Sequence, residues 1–118
     1  MSYDSLPERV PERGFYYHYK HDPAGPVNNY AYELIGVGHH TEHDCRPEDA
    51  HLAIYRPLSE DFVYTHGKMF DARPLEMFLG EVEREGKIIP RFARITDPSV
   101  IKELEEVRDS MYPSGTRG

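Results

Sequence analysis

A run of aromatic side chains near the start of the chain sets the strongest constraint on its fold. Gly14 is followed by residues 15–20, which read FYYHYK. Successive side chains of a strand point to opposite faces, so Tyr16, His18 and Lys20 share one face of the predicted strand. We expect the other face, which carries Phe and Tyr only, to be core. The face of His18 is expected to meet solvent or a ligand.

Further short runs with strand-like patterns follow, separated by residues typical of turns. They span residues 30–41, 51–58, 62–70, 81–89 and 92–95. Two of them contain hairpin signals, His66-Gly67 and Glu85-Gly86, and Pro90 indicates an edge or a bulge. The run 30–41 is apolar on both faces, which is typical of a sheet that curls or closes. The sequence predicts a mainly β fold, a curled sheet or small barrel of about five to six strands.

Two helical segments interrupt or follow this β region. Pro74 suits the start of a short helical turn over residues 75–79. Asp97 and Pro98 are typical of a helix N-terminus, and apolar residues recur at helical spacing from Val100 to Met111. We expect a single domain with an extended leader (1–13), a β core (14–96), a C-terminal helix (97–112) and a tail (113–118).

The composition narrows the possible partners. A net charge of −7 argues against binding to duplex nucleic acid, because such binding requires many cations against the phosphates. Cys45 is the only cysteine, so no intramolecular disulfide forms. No apolar window approaches the ~20 residues of a membrane helix. We expect a cytoplasmic protein that does not enter the membrane.

Several runs of the sequence together resemble a known bacterial family. The runs are Gly14–Lys20, Gly36, His40-Thr41-Glu42, Arg73–Phe78 and Pro90-Arg91-Phe92. In order and rough spacing they resemble the domain-of-unknown-function family 1653. The resemblance implies a small SH3-like barrel and brings no established activity. The chain departs from the family pattern in a longer loop at 21–29, in Phe70 where the family has Trp, and in an added acidic loop at 44–49.

A polar cluster at the predicted strand ends is the main candidate site. It consists of His18, Lys20, His40, Glu42 and Arg73, joined by Arg91 after the break at Pro90. A His–Glu pair is able to carry out acid–base chemistry, and an arginine holds phosphate or carboxylate with two hydrogen bonds. The alternative is a structural network in which Arg73 pairs with Glu42 or Glu76.

Two other groups of residues are weaker candidates. The run 39–45 is dense in possible ligands but lacks the spaced pairs of a zinc site, so we predict no metal and no cofactor. Four tyrosines and a basic run suggest a stacking platform beside cations, with ordinary packing as the alternative. They are Tyr16, Tyr30, Tyr55, Tyr64, Lys87, Arg91 and Arg94.

The sequence favours a binding module of unknown ligand, with a nucleotide-like or phosphorylated small molecule as the first hypothesis. One alternative is a small metal-independent enzyme that uses His40 and Glu42 as an acid–base pair. A second alternative is a protein-interaction adaptor that uses a sheet edge or the C-terminal helix. Expected partners are therefore a small molecule or a protein, and the chain is expected to be a monomer or a homodimer. Enzymatic activity is left undecided, with binding favoured over catalysis.

Overall fold

The computed structural model describes residues 9–42, 44–59 and 70–112, and within them the chain forms seven strands and two α-helices. The strands are β1 Gly14–His18, β2 Ala31–His39, β3 His51–Pro57, β4 Asp71–Pro74, β5 Glu81–Arg84, β6 Lys87–Pro90 and β7 Phe92–Arg94. The helices are α1 Leu75–Phe78 and α2 Pro98–Met111, with a 3₁₀ turn at Pro47–Asp49. All pairings are antiparallel, in one five-stranded sheet of order β4-β3-β2-β1-β7 and one β5-β6 hairpin.

The five-stranded sheet is strongly curled. In a flat sheet its edge strands β4 and β7 would lie about 19 Å apart, at ~4.8 Å per strand. Instead, the guanidinium carbon of Arg73 on β4 is 5.8 Å from the ring centroid of Phe92 on β7. An irregularity in the β2–β3 pairing between Leu34 and Gly36 adds to the bend. The predicted mainly β, curled fold is confirmed.

The curl stops short of a closed barrel, because β4 and β7 are not hydrogen-bonded neighbours in the sheet. The described residues contain seven strands where about five to six were expected, and β4 lies outside the predicted runs; β5 and β6 form a separate hairpin. That hairpin turns at Glu85-Gly86 as predicted, with both residues at positive φ. The other predicted hairpin, around His66-Gly67, lies outside the described residues.

The concave face of the sheet carries the larger of two apolar clusters. Its buried members are Tyr16, Leu34, Ala53, Tyr55, Leu75, Phe78 and Phe92. The short helix α1 places Leu75 and Phe78 over this face, and the Phe78 ring stacks on Phe92 at 4.4 Å. Tyr16 meets Phe78 edge-on at 5.3 Å and is 5% exposed. The β1 face that carries Tyr16 and His18 was expected to meet solvent or a ligand. That expectation was wrong for Tyr16, because α1 covers its ring.

The convex face is covered by α2. Leu104 is fully buried in a second cluster with Phe15, Ala31, Leu58 and Ile95. Asp97 caps the helix as predicted, since its Oδ1 accepts a hydrogen bond of 2.9 Å from the Ser99 N–H. The apolar stripe of α2 is thus buried against its own sheet.

A polar anchor holds the same helix on the sheet. Glu33 on β2 accepts bonds from Arg56 on β3 and from Arg108 on α2, at N···O distances of 2.9 Å and 3.2 Å. The Arg56 guanidinium lies 3.9 Å from the ring centroid of Tyr112, whose hydroxyl donates to the Pro57 carbonyl at 2.7 Å. One carboxylate therefore joins two strands and the C-terminal helix. Among the described helices, none is long and apolar enough to cross a membrane.

Candidate functional site

A cleft of about 500 Å³ opens on the concave face beside the C-terminal end of β1. Most of its lining residues are aromatic or charged: His18, Lys20, Tyr30, Tyr32, Tyr55, Asp71, Arg73 and Phe92, with Ala72, Pro74 and Met77 completing it. The core cluster forms the floor, since Tyr55 and Phe92 belong to both. The cleft is therefore an opening in the core rather than a separate surface pocket.

Strand register brings these side chains together. His18 on β1 lies opposite Phe92 on β7, and Asp71 on β4 lies opposite Tyr55 on β3. Asp71 and Arg73 are two residues apart on one strand and so point to the same face. The curl then carries β4 toward β7 across the concave side. Residues from both edges of the sheet meet over the same cleft.

Aromatic rings form a continuous wall around His18. The His18 ring centroid lies 5.1 Å from that of Phe92 and 5.7 Å from that of Tyr30. Tyr32 continues the wall, at 5.8 Å from Phe92 and 5.7 Å from Tyr55. Burial, with smaller contributions from Tyr55 and Asp71, raises the pKa of Tyr32, so its phenol is neutral near pH 7.

His18 is held neutral by its surroundings. Its pKa is lowered from 6.5 to about 4, mainly by burial and then by the positive charges of Arg73, Lys20, Arg91 and Arg84 in that order. The Lys20 backbone N–H donates to His18 Nδ1 at 3.2 Å. Since Nδ1 accepts, the proton of the neutral ring is assigned to Nε2. His18 therefore provides a neutral N–H donor within a group of cations.

The guanidinium of Arg73 is oriented by the floor of the cleft. Its Nε donates to the Tyr55 hydroxyl at 3.0 Å, while the guanidinium carbon lies 5.8 Å from the Phe92 ring centroid. The ion pair proposed between Arg73 and Glu42 or Glu76 is not among the salt bridges of the described residues. Arg73 is therefore held by the Tyr55 hydroxyl and the Phe92 ring. Neither Glu42 nor Glu76 neutralises its charge.

Arg91 stands beside the cleft rather than in its lining. Its backbone N–H donates to the Gly80 carbonyl, and its own carbonyl accepts from the Tyr19 N–H, each at 2.9 Å. Its Nε is buried and has no hydrogen-bond partner within the described part of the chain. Arg84 of the β5–β6 hairpin donates to the Tyr19 carbonyl. Both arginines thus approach β1 from the side of β7 and add positive charge near His18.

The structure does not bring His40 and Glu42 to this cleft. β2 starts at Ala31, opposite Tyr17, and runs to His39, a length of about 26 Å at ~3.3 Å per residue. His40 follows at the far end, where its N–H donates to the Ala50 carbonyl at 2.9 Å. The Glu42 backbone N–H donates to His40 Nδ1 at 3.1 Å. Of the six candidate residues, His18, Lys20 and Arg73 line the cleft and Arg91 lies next to it.

The other candidates separate in a similar way. Within the described residues, no group of three or more His, Cys, Asp or Glu side chains is placed to hold a metal ion; His43 lies outside them. Of the stacking platform, Tyr30 and Tyr55 line the cleft and Tyr16 is core. Arg94 pairs with Glu12 at 3.1 Å, and Tyr64 is outside the described residues.

Three functional candidates escaped the sequence analysis: Tyr32, Asp71 and Arg84. Tyr32 was assigned to a strand that is apolar on both faces, and the predicted strand run ended at residue 70, before Asp71. The alternation of Asp71 with Arg73 was the available signal. No sequence signal connects Arg84 with β1, because that contact depends on how the hairpin folds back.

Comparison with known proteins identifies a family whose function is unknown. No curated protein and no solved structure matches the chain. The model of a family described as "Protein of unknown function (DUF1653)" matches residues 14–94. The match runs from the start of β1 to the end of β7 and so includes every cleft residue. The chain therefore belongs to the DUF1653 family of proteins of unknown function.

Proposed function

We propose that this domain is a binding module that holds a phosphorylated small molecule in the cleft beside His18. The observation that carries the proposal is the concentration of positive charge there. Lys20 and Arg73 line the cleft, while Arg84 and Arg91 are hydrogen-bonded to the Tyr19 backbone next to His18, in a protein whose net charge is −7. Cations placed close together in a partly buried cleft repel one another, and a bound anion relieves that repulsion.

The donors suit a phosphate group. Arg73 keeps two terminal nitrogens for a bidentate contact while its Nε is held by Tyr55. Lys20 is exposed at the edge of the cleft and supplies a mobile charge. The Nε2–H of His18 adds a neutral donor that needs no protonation near pH 7. Asp71 in the lining favours a ligand that also carries hydroxyl or amino donors.

Two features support binding over the alternatives. The acid–base pair would need the Glu42 carboxylate to orient the His40 ring, whereas His40 Nδ1 accepts from the Glu42 backbone. The adaptor hypothesis used a sheet edge or the C-terminal helix, and the helix is disfavoured as a docking surface because Leu104 of α2 is buried on the sheet. Neither feature disfavours a small anionic ligand in the cleft.

Isothermal titration calorimetry with pyrophosphate tests the proposal. We expect saturable binding to the wild type and a loss of at least tenfold in affinity for Arg73→Ala, since a charge-assisted bidentate contact contributes about 1.5–3 kcal/mol. Arg46→Ala is the matched control. Arg46 is 72% exposed in its side chain and pairs with Asp49, away from the cleft, so affinity should not change.

A second variant protects the test against misfolding. Arg73 contacts the core through Tyr55, so Arg73→Ala is checked by circular dichroism. Lys20→Ala removes an exposed side chain and should leave stability unchanged while weakening pyrophosphate several-fold. Absence of saturable binding to the wild type, or equal affinities in all four proteins, would refute the proposed function.

A further inference from the structure

Tyr30 at the mouth of the cleft has a strained backbone. Its φ is +52°, in the left-handed region that bulky side chains rarely adopt. Within the described residues, the other non-glycine residue at positive φ is Glu85, in the two-residue turn of the β5–β6 hairpin. Such a turn requires positive φ, which accounts for Glu85. Glycine or asparagine would fit the backbone at residue 30 better than tyrosine does.

The fold gains little from the Tyr30 side chain. Tyr30 is 43% exposed and belongs to neither apolar cluster. Its contribution to the sheet comes from the backbone, because its carbonyl accepts the His18 N–H at 2.9 Å. Any residue would supply that carbonyl. Packing and hydrogen bonding therefore do not explain why a large aromatic ring occupies a strained position.

The ring of Tyr30 is instead placed for stacking. It lies nearly parallel to the His18 ring, at 27° and 5.7 Å between centroids, and lines the cleft. Parallel rings at the edge of an open cleft give a flat surface on which a planar group binds. Strain that the rest of the fold sustains is often found at binding sites.

Hydrogen bonds in the preceding loop fix the backbone that carries this ring. The Asn29 side chain accepts from the Asp22 N–H at 2.8 Å and donates to the Asp22 carbonyl at 3.0 Å. The His21 Nδ1 lies 2.8 Å from the Asn29 carbonyl oxygen, and the His21 ring stacks on Tyr17 at 3.5 Å. These bonds join both ends of the loop directly before Tyr30. The backbone that carries the ring is thereby preorganised, which lowers the entropic cost of binding.

We propose that Tyr30 is a ligand-binding residue and that the ligand is nucleotide-like, with its planar base stacked on Tyr30 and its phosphates on Arg73 and Lys20. This inference rests on the proposed function and divides the cleft into two parts. The aromatic part recognises the base. The cationic part recognises the phosphates and is used equally by ligands without a base.

Calorimetry with two probes separates the two parts. Adenosine diphosphate and pyrophosphate share the phosphate chemistry and differ in the nucleoside. We expect the wild type to bind adenosine diphosphate about 5- to 150-fold more tightly, the range that one stacked base contributes. Tyr30→Asn should remove most of that difference and leave the pyrophosphate affinity unchanged. Tyr30→Phe keeps the ring and should keep the difference.

Thermal unfolding of the same variants tests whether the ring is kept for binding. Asparagine tolerates the left-handed conformation, so Tyr30→Asn should raise the Tm by a few degrees. Glu85→Asn is the matched control because it relieves the same kind of strain at the hairpin turn. It should raise the Tm similarly and leave both affinities unchanged.

The outcomes distinguish this inference from the proposed function. If the wild type binds both probes with equal affinity, or if Tyr30→Asn keeps the preference for adenosine diphosphate, the stacking role is refuted and phosphate binding stands. A lower Tm for Tyr30→Asn would show that the ring is kept for packing and would also refute it. If neither probe binds, the proposed function fails, and the role of Tyr30 fails with it.

Discussion

Acid should destabilise the protein partly through His18. In the folded state its pKa is lowered from 6.5 to about 4, first by burial and then by four cations, whereas in the unfolded chain it returns to about 6.5. Below pH 6.5 the unfolded chain therefore binds a proton that the folded protein does not. His18 therefore causes no loss of stability above about pH 6.5, and the free energy of unfolding falls as the pH drops from there toward about 4. The His18→Gln variant lacks this titration.

The size of the effect follows from the same pKa difference. The change from 6.5 to about 4 corresponds to about 3.4 kcal/mol, at 1.36 kcal/mol per pH unit. His18 is only partly buried, and solvent screens part of the interaction with the surrounding cations. We therefore expect His18 to account for about 1–2 kcal/mol of the stability that the wild type loses between pH 7 and pH 4.5.

Urea unfolding followed by circular dichroism at pH 7.5, 6.5, 5.5 and 4.5 measures this contribution. Wild type and His18→Gln are compared at each pH, so that the other histidines and the carboxylates cancel in the difference. The free energies of unfolding should converge by about 1–2 kcal/mol as the pH falls. A constant difference across the range would refute the argument that the cation cluster and burial keep His18 neutral.

Two further predictions concern how α2 is held on the sheet. Glu33→Gln removes a carboxylate that bonds to both Arg56 and Arg108, so we expect urea unfolding to show a loss of about 1–3 kcal/mol. A loss no larger than for Glu106→Gln, a change at an exposed residue of α2, would contradict the anchor. Leu104→Ala empties a fully buried position and should cost about 2–5 kcal/mol. The exposed neighbour Glu105→Ala is its control, and equal stabilities would mean that α2 does not pack on the sheet.

Local signals predicted the secondary structure well because their causes are local. The cap at Asp97 and the turn at Glu85-Gly86 depend on residues next to each other, and both formed as expected. The face of Tyr16 was assigned wrongly because its cover comes from Phe78, more than sixty positions away. Alternation shows which side chains share a face. It does not show what lies over that face.

The sequence predicted only part of the candidate site, because strand pairing and the curl of the sheet decide which strand ends meet. His18 and Arg73 were selected as polar residues at strand ends, and they meet because the curl brings β4 across to β7. His40 satisfied the same criterion but lies at the other end of β2. In an antiparallel sheet, the C-terminal ends of successive strands lie alternately at the two opposite ends of the sheet. A residue near a strand end therefore lies at one of two opposite ends of the sheet, and the strand pairing is needed to decide which other residues are close to it.

The distribution of charge bears on which kind of anion the proposed site would accept. Lys20, Arg73, Arg84 and Arg91 act on one histidine, so the rest of the chain is more negative than the overall charge of −7. A long polyanion that entered the cleft would extend over this negative surface and be repelled along its length. A small phosphorylated molecule, by contrast, would end at Lys20 and Arg73, with Arg84 and Arg91 adding positive charge nearby. The acidic composition that argues against duplex nucleic acid therefore favours a compact anion as the ligand.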